Sequence, residues 1–150
     1  MAKFVYRLQN ILDVKMKLED QAKSSFSMAS ARVNEEEEKL ERLYEEKAQL
    51  EEEYRKKSLG PLDLFELQFS KDCVEYKKGE IADQKRELEM ARKNLEIARY
   101  QLNEAMKERK IHEKLKENAF EEFLQEINEE EKKEIDQLVS FTYNNRSEEE

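Results

Sequence analysis

The chain has few of the residues that break helices or build covalent and metal sites. Its 150 residues include two glycines, one proline, one cysteine, one histidine and no tryptophan. A single cysteine cannot form an intrachain disulfide, which fits a reducing compartment. A single histidine excludes zinc sites that need two histidines, and two isolated glycines do not make a phosphate-binding loop. We therefore predict no catalytic, cofactor or metal site and no enzymatic activity.

The sequence also lacks a run of about 18 apolar residues, so we predict no membrane-spanning helix. The first 20 residues carry scattered charge and no apolar core of a secretory signal. The formal net charge is −9 at pH 7, which disfavours nucleic acids and anionic membranes as partners. These features favour a cytoplasmic protein without direct membrane insertion.

What the chain does contain is charge and helix-forming residues. Charged residues make up 43% of the chain and hydrophobic residues 37%. Glu, Lys, Leu, Ala, Arg and Gln, which dominate, all favour helices. This composition is typical of coiled coils, and the regular spacing of the apolar residues argues against a disordered chain of similar composition.

One break interrupts the helical pattern. Gly60 and Pro61 end a helix, and Asp63, followed by Glu66 three residues later, begins another with a capping box. We predict one structural unit over residues 1–150, with helix one at about 4–57, a turn at 58–62, helix two at about 63–141 and a disordered tail at 144–150. The fold class is all-α, a two-helix antiparallel coiled-coil hairpin with the second helix longer than the first.

Both helices carry apolar seams, and the short connection implies that the seams pair antiparallel. Helix one has steps of three and four residues, with a stutter predicted where two steps of four meet at Leu18, Ala22 and Phe26. Helix two has a strict heptad. A parallel homodimer is disfavoured because Gly60 and Pro61 would break both strands. The seam of helix one is predicted as Phe4, Leu8, Ile11, Lys15, Leu18, Ala22, Phe26, Ala29, Val33, Glu36, Leu40, Leu43, Lys47, Leu50 and Tyr54. That of helix two is predicted as Leu67, Val74, Ile81, Leu88, Leu95 and Leu102, with Ala91, Ala98 and Ala105 between them.

The unequal lengths leave part of helix two without an intrachain partner. With the turn near Gly60, paired residue numbers sum to about 120, which places Phe4 beside Lys116. The remaining residues either dock on a partner or fray in the free protein. A thin hairpin with exposed apolar stripes also allows weak homo-oligomerisation. The predicted overhang presents Phe120, Phe123, Leu124, Ile127, Ile135, Leu138, Val139 and Phe141.

Three other features are weighed as sites. His112 continues the seam after Ala105 and is interpreted as an interfacial residue, and Cys73 as an inert, partly covered thiol. Tyr44 lies off the seam and is interpreted as a contact residue. Around it, one group of residues forms either a binding band or simply a buried seam. That group is Leu43, Tyr44, Leu50, Tyr54, Leu67 and Val74.

The two ends of the chain resemble one family. Residues 1–15, MAKFVYRLQNILDVK, combine an aromatic-aromatic-basic-Leu-Gln run with a short apolar pair. Near the other end, residues 114–117 are Lys-rich, Phe120 and Phe123 form an aromatic pair, and residues 131–136 read EKKEID. This order resembles the flagellar FliJ protein family over the whole chain. One departure is the segment Ile135-Asp136-Gln137, where the family often has Leu-Asp-Glu.

The resemblance implies a non-enzymatic, cytoplasmic component of the flagellar type III export apparatus, peripherally associated with its membrane-embedded part. Its partners would be the flagellar export ATPase, the export-gate membrane protein and export chaperones. The resemblance implies docking in the ATPase ring, as a stalk that promotes ring assembly, through Phe4, Leu8, Ile11, Phe120, Phe123, Ile127, Ile135 and Leu138. It implies gate contact through the band around Tyr44. The alternatives are a stalk subunit of a rotary ATPase, a structural spacer, and the equivalent component of a virulence-type export system.

Overall fold

A computed structural model describes residues 2–61 and 63–149. Helix α1 spans Gln9–Leu59 and helix α2 spans Leu64–Glu149. The chain forms two compact units, which we call the terminal unit, Met1–Glu19 with Ala105–Glu150, and the turn unit, Asp20–Glu104. In each unit a stretch of α1 packs against an antiparallel stretch of α2. The predicted all-α hairpin with a longer second helix is confirmed, and the described residues contain no strand.

The start of α2 is set by Asp63. Its side-chain Oδ1 accepts hydrogen bonds from the backbone N–H groups of Phe65 at 3.0 Å and Glu66 at 3.4 Å. Such a cap satisfies amides that have no partner inside the helix, so the predicted N-cap is confirmed. On the other side of the turn, α1 ends at Leu59, directly before Gly60 and Pro61, because proline lacks the N–H that continues a helix. Leu62 of the predicted turn lies outside the described residues.

The core of the turn unit is a single apolar seam. Val33 of α1 packs with Leu88 and Ala91 of α2, and Leu40 and Leu95 pack against this cluster. The α2 heptad predicted from the sequence is confirmed in this unit, because its members are buried or half-buried at every seventh position. Small alanines alternating with large residues let the two helices approach closely.

The predicted seam of α1 is wrong at Leu8, Ile11 and Leu18, whereas Phe4 and Lys15 are half-buried as predicted. Leu12 and Glu19 are each 4% exposed, whereas Leu8, Ile11 and Leu18 are more than 40% exposed. The buried row therefore recurs every seven residues from Leu12 to Tyr54 without a stutter. The prediction failed because it preferred an apolar Leu18 to a charged Glu19, whose carboxylate has a basic partner across the seam.

The predicted bounds also differ at both ends. Helix α1 begins at Gln9 rather than at residue 4, since residues 2–8 contain no Ser, Thr, Asp or Asn to cap an earlier start. Helix α2 continues to Glu149 rather than ending at residue 141, because no glycine or proline follows residue 79 to stop it. The hydroxyls of Thr142 and Ser147 donate to the carbonyls of Leu138 and Asn144 along this stretch. Glu150 lies outside the described residues.

Neither helix contains, in the residues described, an apolar stretch long enough to cross a bilayer.

Candidate partner-binding surfaces

The terminal unit is held together by an aromatic contact. The ring of Phe4 lies 5.1 Å from that of Phe120 in an edge-to-face arrangement and 5.4 Å from that of Phe123, measured between centroids. This corrects the sequence prediction, which placed Phe4 beside Lys116 and left both α2 aromatics unpaired. The reason is the register: Lys15 pairs with Glu108 and Glu19 with Arg109, so α1 lies opposite residues several positions further along α2 than predicted.

Around this contact, apolar side chains stay open to solvent. A groove of about 580 Å³ is lined by Phe4, Leu12, Met16 and Phe120 together with polar neighbours. Leu8 is 41% exposed and Ile11 is 42% exposed. Both had been placed on the seam from the sequence, but they lie beside it. The terminal unit therefore presents both grooves and ridges that a partner helix can contact.

Beyond Ile127, which is half-buried, every described side chain of α2 up to residue 148 is exposed. We call this segment, residues 128–148, the overhang. Ile135 and Leu138 are three residues apart on one face, at 58% and 65% exposure, and Val139, Phe141 and Tyr143 are also exposed. The prediction that the end of α2 leaves an apolar stripe uncovered is confirmed for these residues.

The band predicted around Tyr44 is mostly seam. Val74 is buried, and Leu43, Leu50, Tyr54 and Leu67 are half-buried between the two helices. They occupy heptad positions that face the opposite helix, which is why a binding pattern and a packing pattern could not be told apart. Only Tyr44 is exposed, and the Lys85 ammonium lies 5.7 Å from its ring centroid, a cation–π arrangement.

A second surface near the turn was missed by the sequence reasoning. Phe65, Phe69 and Tyr76 are 86%, 64% and 72% exposed. Spacings of four and eleven residues place all three on one face of α2, away from the buried row. We call them the aromatic stripe. The signal was available, because these aromatics fall outside the heptad that contains Leu67 and Val74.

Polar side chains interrupt the apolar seam of the turn unit, and the most buried of them is Glu36. The Glu36 carboxylate, 2% exposed, accepts a hydrogen bond from the Gln84 amide and pairs with Arg32 at 3.0 Å and Lys39 at 3.5 Å. The Gln84 hydrogen bond, followed by the charges of Lys39 and Arg32, lowers the pKa of Glu36 despite its burial. Because the hydrogen bond between Glu36 and Gln84 can form only in this alignment, it favours one register of the two helices.

A second polar layer lies in the terminal unit. Arg109 of α2 donates hydrogen bonds to Glu113 at 2.8 Å and to Glu19 of α1. These two carboxylates raise the pKa of Arg109, which keeps the guanidinium charged. Lys15 pairs with Glu108 across the same unit at 3.3 Å. Half-buried His112 follows on the seam, as predicted. Cys73, in the turn unit, is also half-buried, as predicted.

The packing and the exposed surfaces together define the class of protein. The two helices form a coiled-coil hairpin with a thin seam, and its apolar residues near the turn and along the overhang are exposed to solvent. The chain belongs to the flagellar FliJ protein family, whose sequence model matches residues 4–148. Membership of this family makes it a component of the type III export apparatus.

The fold is shared with a solved structure. A protein from Chlamydia trachomatis described as a YscO homologue superposes with a TM-score of 0.76 at 20% sequence identity. The match covers 99% of this chain and 100% of that chain. No curated protein sequence matches the chain significantly.

Proposed function

We propose that the chain is a non-enzymatic, cytoplasmic component of flagellar export that joins the export ATPase to the export gate. The terminal unit docks in the ATPase ring as a stalk and promotes ring assembly. The aromatic stripe contacts the gate, and export chaperones bind the hairpin when they have released their cargo. Family membership supports this assignment, and the exposed overhang carries it.

Docking through the overhang is supported by its unburied apolar side chains. Burial of one such side chain contributes about 1.5–3 kcal/mol. Ile135, Leu138, Val139 and Phe141 together therefore contribute on the order of 6–12 kcal/mol, which offsets much of the entropic cost of association. The aromatic contact at Phe4 keeps the N-terminal segment beside the base of this helix, so both chain ends reach the same partner.

The first test is truncation. A chain that ends at Ile127 keeps Phe120 and Phe123, and with them the contact to Phe4, but loses the overhang. We expect it to lose stimulation of the cognate ATPase while its remaining residues stay helical by circular dichroism. Full stimulation by the truncated chain would contradict docking through the overhang.

A point substitution sharpens that test. Leu138→Lys places a charge on the apolar face, and Gln137→Lys places the same charge on the neighbouring residue, about 100° around the helix. We expect the first to weaken ATPase binding at least about tenfold, the loss of one buried leucine, and the second to change it less than threefold. Equal effects would indicate that net charge, not the apolar face, determines binding.

The gate contact is assigned to the aromatic stripe instead of the band around Tyr44. Large aromatic side chains that are exposed in the free protein and grouped on one helix face are typical of binding hot spots. The side chains of the predicted band are, by contrast, used to hold α1 against α2. Leu59 and Leu64, which are 78% and 77% exposed, extend the apolar surface around the turn.

We expect Phe69→Ala to reduce binding of the cytoplasmic domain of the gate protein more than tenfold, because hot-spot aromatics contribute about 2 kcal/mol or more. Met90→Ala is the control, since Met90 is 59% exposed at the same heptad position three repeats further along α2. Titration calorimetry measures both. An equal loss in the two variants would contradict a contact confined to the aromatic stripe.

A further inference from the structure

The residues that flank the seam between the two helices are charged in the turn unit but include many apolar side chains in the terminal unit. In the turn unit, one side forms a groove whose lining residues beside the seam are charged, among them Lys39, Arg42 and Glu46 of α1 and Asp83 and Glu87 of α2. Four heptads away, the residues of the terminal unit that correspond to these five are all apolar, although Glu108, which corresponds to Glu80 of the same groove, is charged. The five apolar residues are Ile11, Val14 and Leu18 of α1 and Ile111 and Leu115 of α2.

These five side chains, which we call the apolar groove, are between 42% and 54% exposed. Lys15 and Glu108, which pair across the terminal unit, lie on the same side. In a two-helix coiled coil, positions beside the seam face water and are ordinarily charged. Five apolar residues there on both helices fit a third helix lying along the pair.

The chain itself carries a helix of matching chemistry. The overhang presents an apolar face at Ile135 and Leu138, and residues 124–150 contain nine acidic and three basic residues. The paired part of the terminal unit is the reverse, because residues 1–19 and 105–123 together contain nine basic and seven acidic residues. The overhang therefore complements the paired part of the terminal unit both in its apolar face and in the sign of its charge.

We propose that, in the free protein, two copies form a closed antiparallel dimer in which the overhang of each copy covers the apolar groove of the other. The overhang continues α2 away from the paired segment of its own copy and so cannot cover the apolar groove of that copy. The groove that it covers therefore lies on a second copy. The overhang, residues 128–148, spans about 32 Å as a helix, and residues 105–123 span about 28 Å. Two copies meeting end to end therefore overlap along the full groove, and the exchange closes with two-fold symmetry.

The area is sufficient for a specific dimer. Each groove brings together about eight apolar side chains, five from the groove and Ile135, Leu138 and Val139 from the other copy, and each buries roughly 60–120 Å². The two grooves together bury on the order of 1,500 Å², the size of a standard specific interface. Because Ile11 and Leu138 also belong to the surface proposed to bind the ATPase, the dimer is a form that ATPase binding displaces. The dimer itself does not depend on that proposed function.

Sedimentation equilibrium of the full chain, from micromolar to submillimolar concentration, tests the dimer. We expect a monomer–dimer equilibrium that Val14→Glu and, separately, Leu138→Lys each weaken at least tenfold. Met28→Glu, at a 73% exposed position of α1 in the turn unit, leaves it unchanged. Circular dichroism confirms that the variants remain helical. A monomer at every concentration, or a dimer that neither variant weakens, would overturn the proposal.

A mixing experiment tests the exchange. The Val14→Glu chain has an intact overhang and no groove, and a chain ending at Ile127 has an intact groove and no overhang. Each alone is expected to be monomeric, but together they form a heterodimer through one intact contact. Failure to form it, with the wild-type chain dimeric, would place the dimer interface elsewhere and overturn the assignment.

Discussion

Removing the ring of Phe4 tests how the N-terminal segment is held. Phe4 is half-buried, and its two aromatic contacts contribute about 0.5–1.5 kcal/mol each. Partial burial of the ring adds about 1 kcal/mol. We therefore expect Phe4→Ala to destabilise this end of the molecule by at least about 2 kcal/mol, which corresponds to local opening at least roughly 30-fold more frequent.

Amide hydrogen exchange followed by NMR measures that opening. The backbone N–H groups of Ile11 and Leu12 donate to the carbonyl of Leu8 at 3.1 and 3.2 Å, so they report on the first turn of α1. We expect their exchange to accelerate in Phe4→Ala but not in Val5→Ala, because Val5 is 78% exposed. Equal acceleration in both variants, or none in either, would refute the account of the aromatic contact.

Three further predictions concern stability. Leu88→Ala removes the centre of the turn-unit core and should cost about 2–3 kcal/mol in chemical denaturation, whereas Met90→Ala should cost less than about 0.5 kcal/mol; similar costs would contradict the seam. Asp63→Ala removes the α2 cap and should cost about 1 kcal/mol; an unchanged unfolding midpoint would contradict it. Glu36 has a lowered pKa, so its contribution is present above about pH 4.3, the ordinary value for glutamate, and is lost as the pH falls through its folded pKa. Thermal melts of Glu36→Gln should therefore lie below wild type at pH 7 and converge with it in acid, and a constant difference would contradict that sign.

Sequence periodicity predicted the hairpin because it depends on features that are local or strictly repeated. Gly60 and Pro61 leave a helix no way to continue, and Asp63 caps whatever follows it. The α2 heptad uses leucine, valine and isoleucine at nearly every large position, so its buried row had no competitor. At the turn and along the α2 heptad, the helix bounds and the packing predicted from these residues agree with the structure.

The predictions failed where the packing depends on contacts between residues far apart in the sequence. At the start of α1, two rows of residues compete for the seam, and hydrophobicity alone favours Ile11 and Leu18. The row that wins contains Glu19, because Arg109 on the other helix satisfies its carboxylate. Such a pair is separated by most of the chain length and is invisible until the register is known. The same ignorance of register left Phe120 and Phe123 without their partner.

Surfaces were harder to predict than packing for a related reason. A leucine at a heptad position has the same identity whether it faces the opposite helix or a partner protein. The band around Tyr44 was therefore assigned from residues that the fold already uses. The aromatic stripe differs, because the α2 heptad was predicted correctly and Phe65 and Phe69 fall outside it, so their exposure could have been inferred from the sequence.

The overhang and the aromatic stripe are proposed to bind different partners. Photocrosslinking tests this proposal most directly, with a photoreactive amino acid placed at residue 138 or at residue 76 in the full chain. In a mixture of the export ATPase and the cytoplasmic domain of the gate protein, residue 138 should crosslink to the ATPase and residue 76 to the gate domain. Crosslinks from both positions to the same protein, or the reverse assignment, would contradict the account.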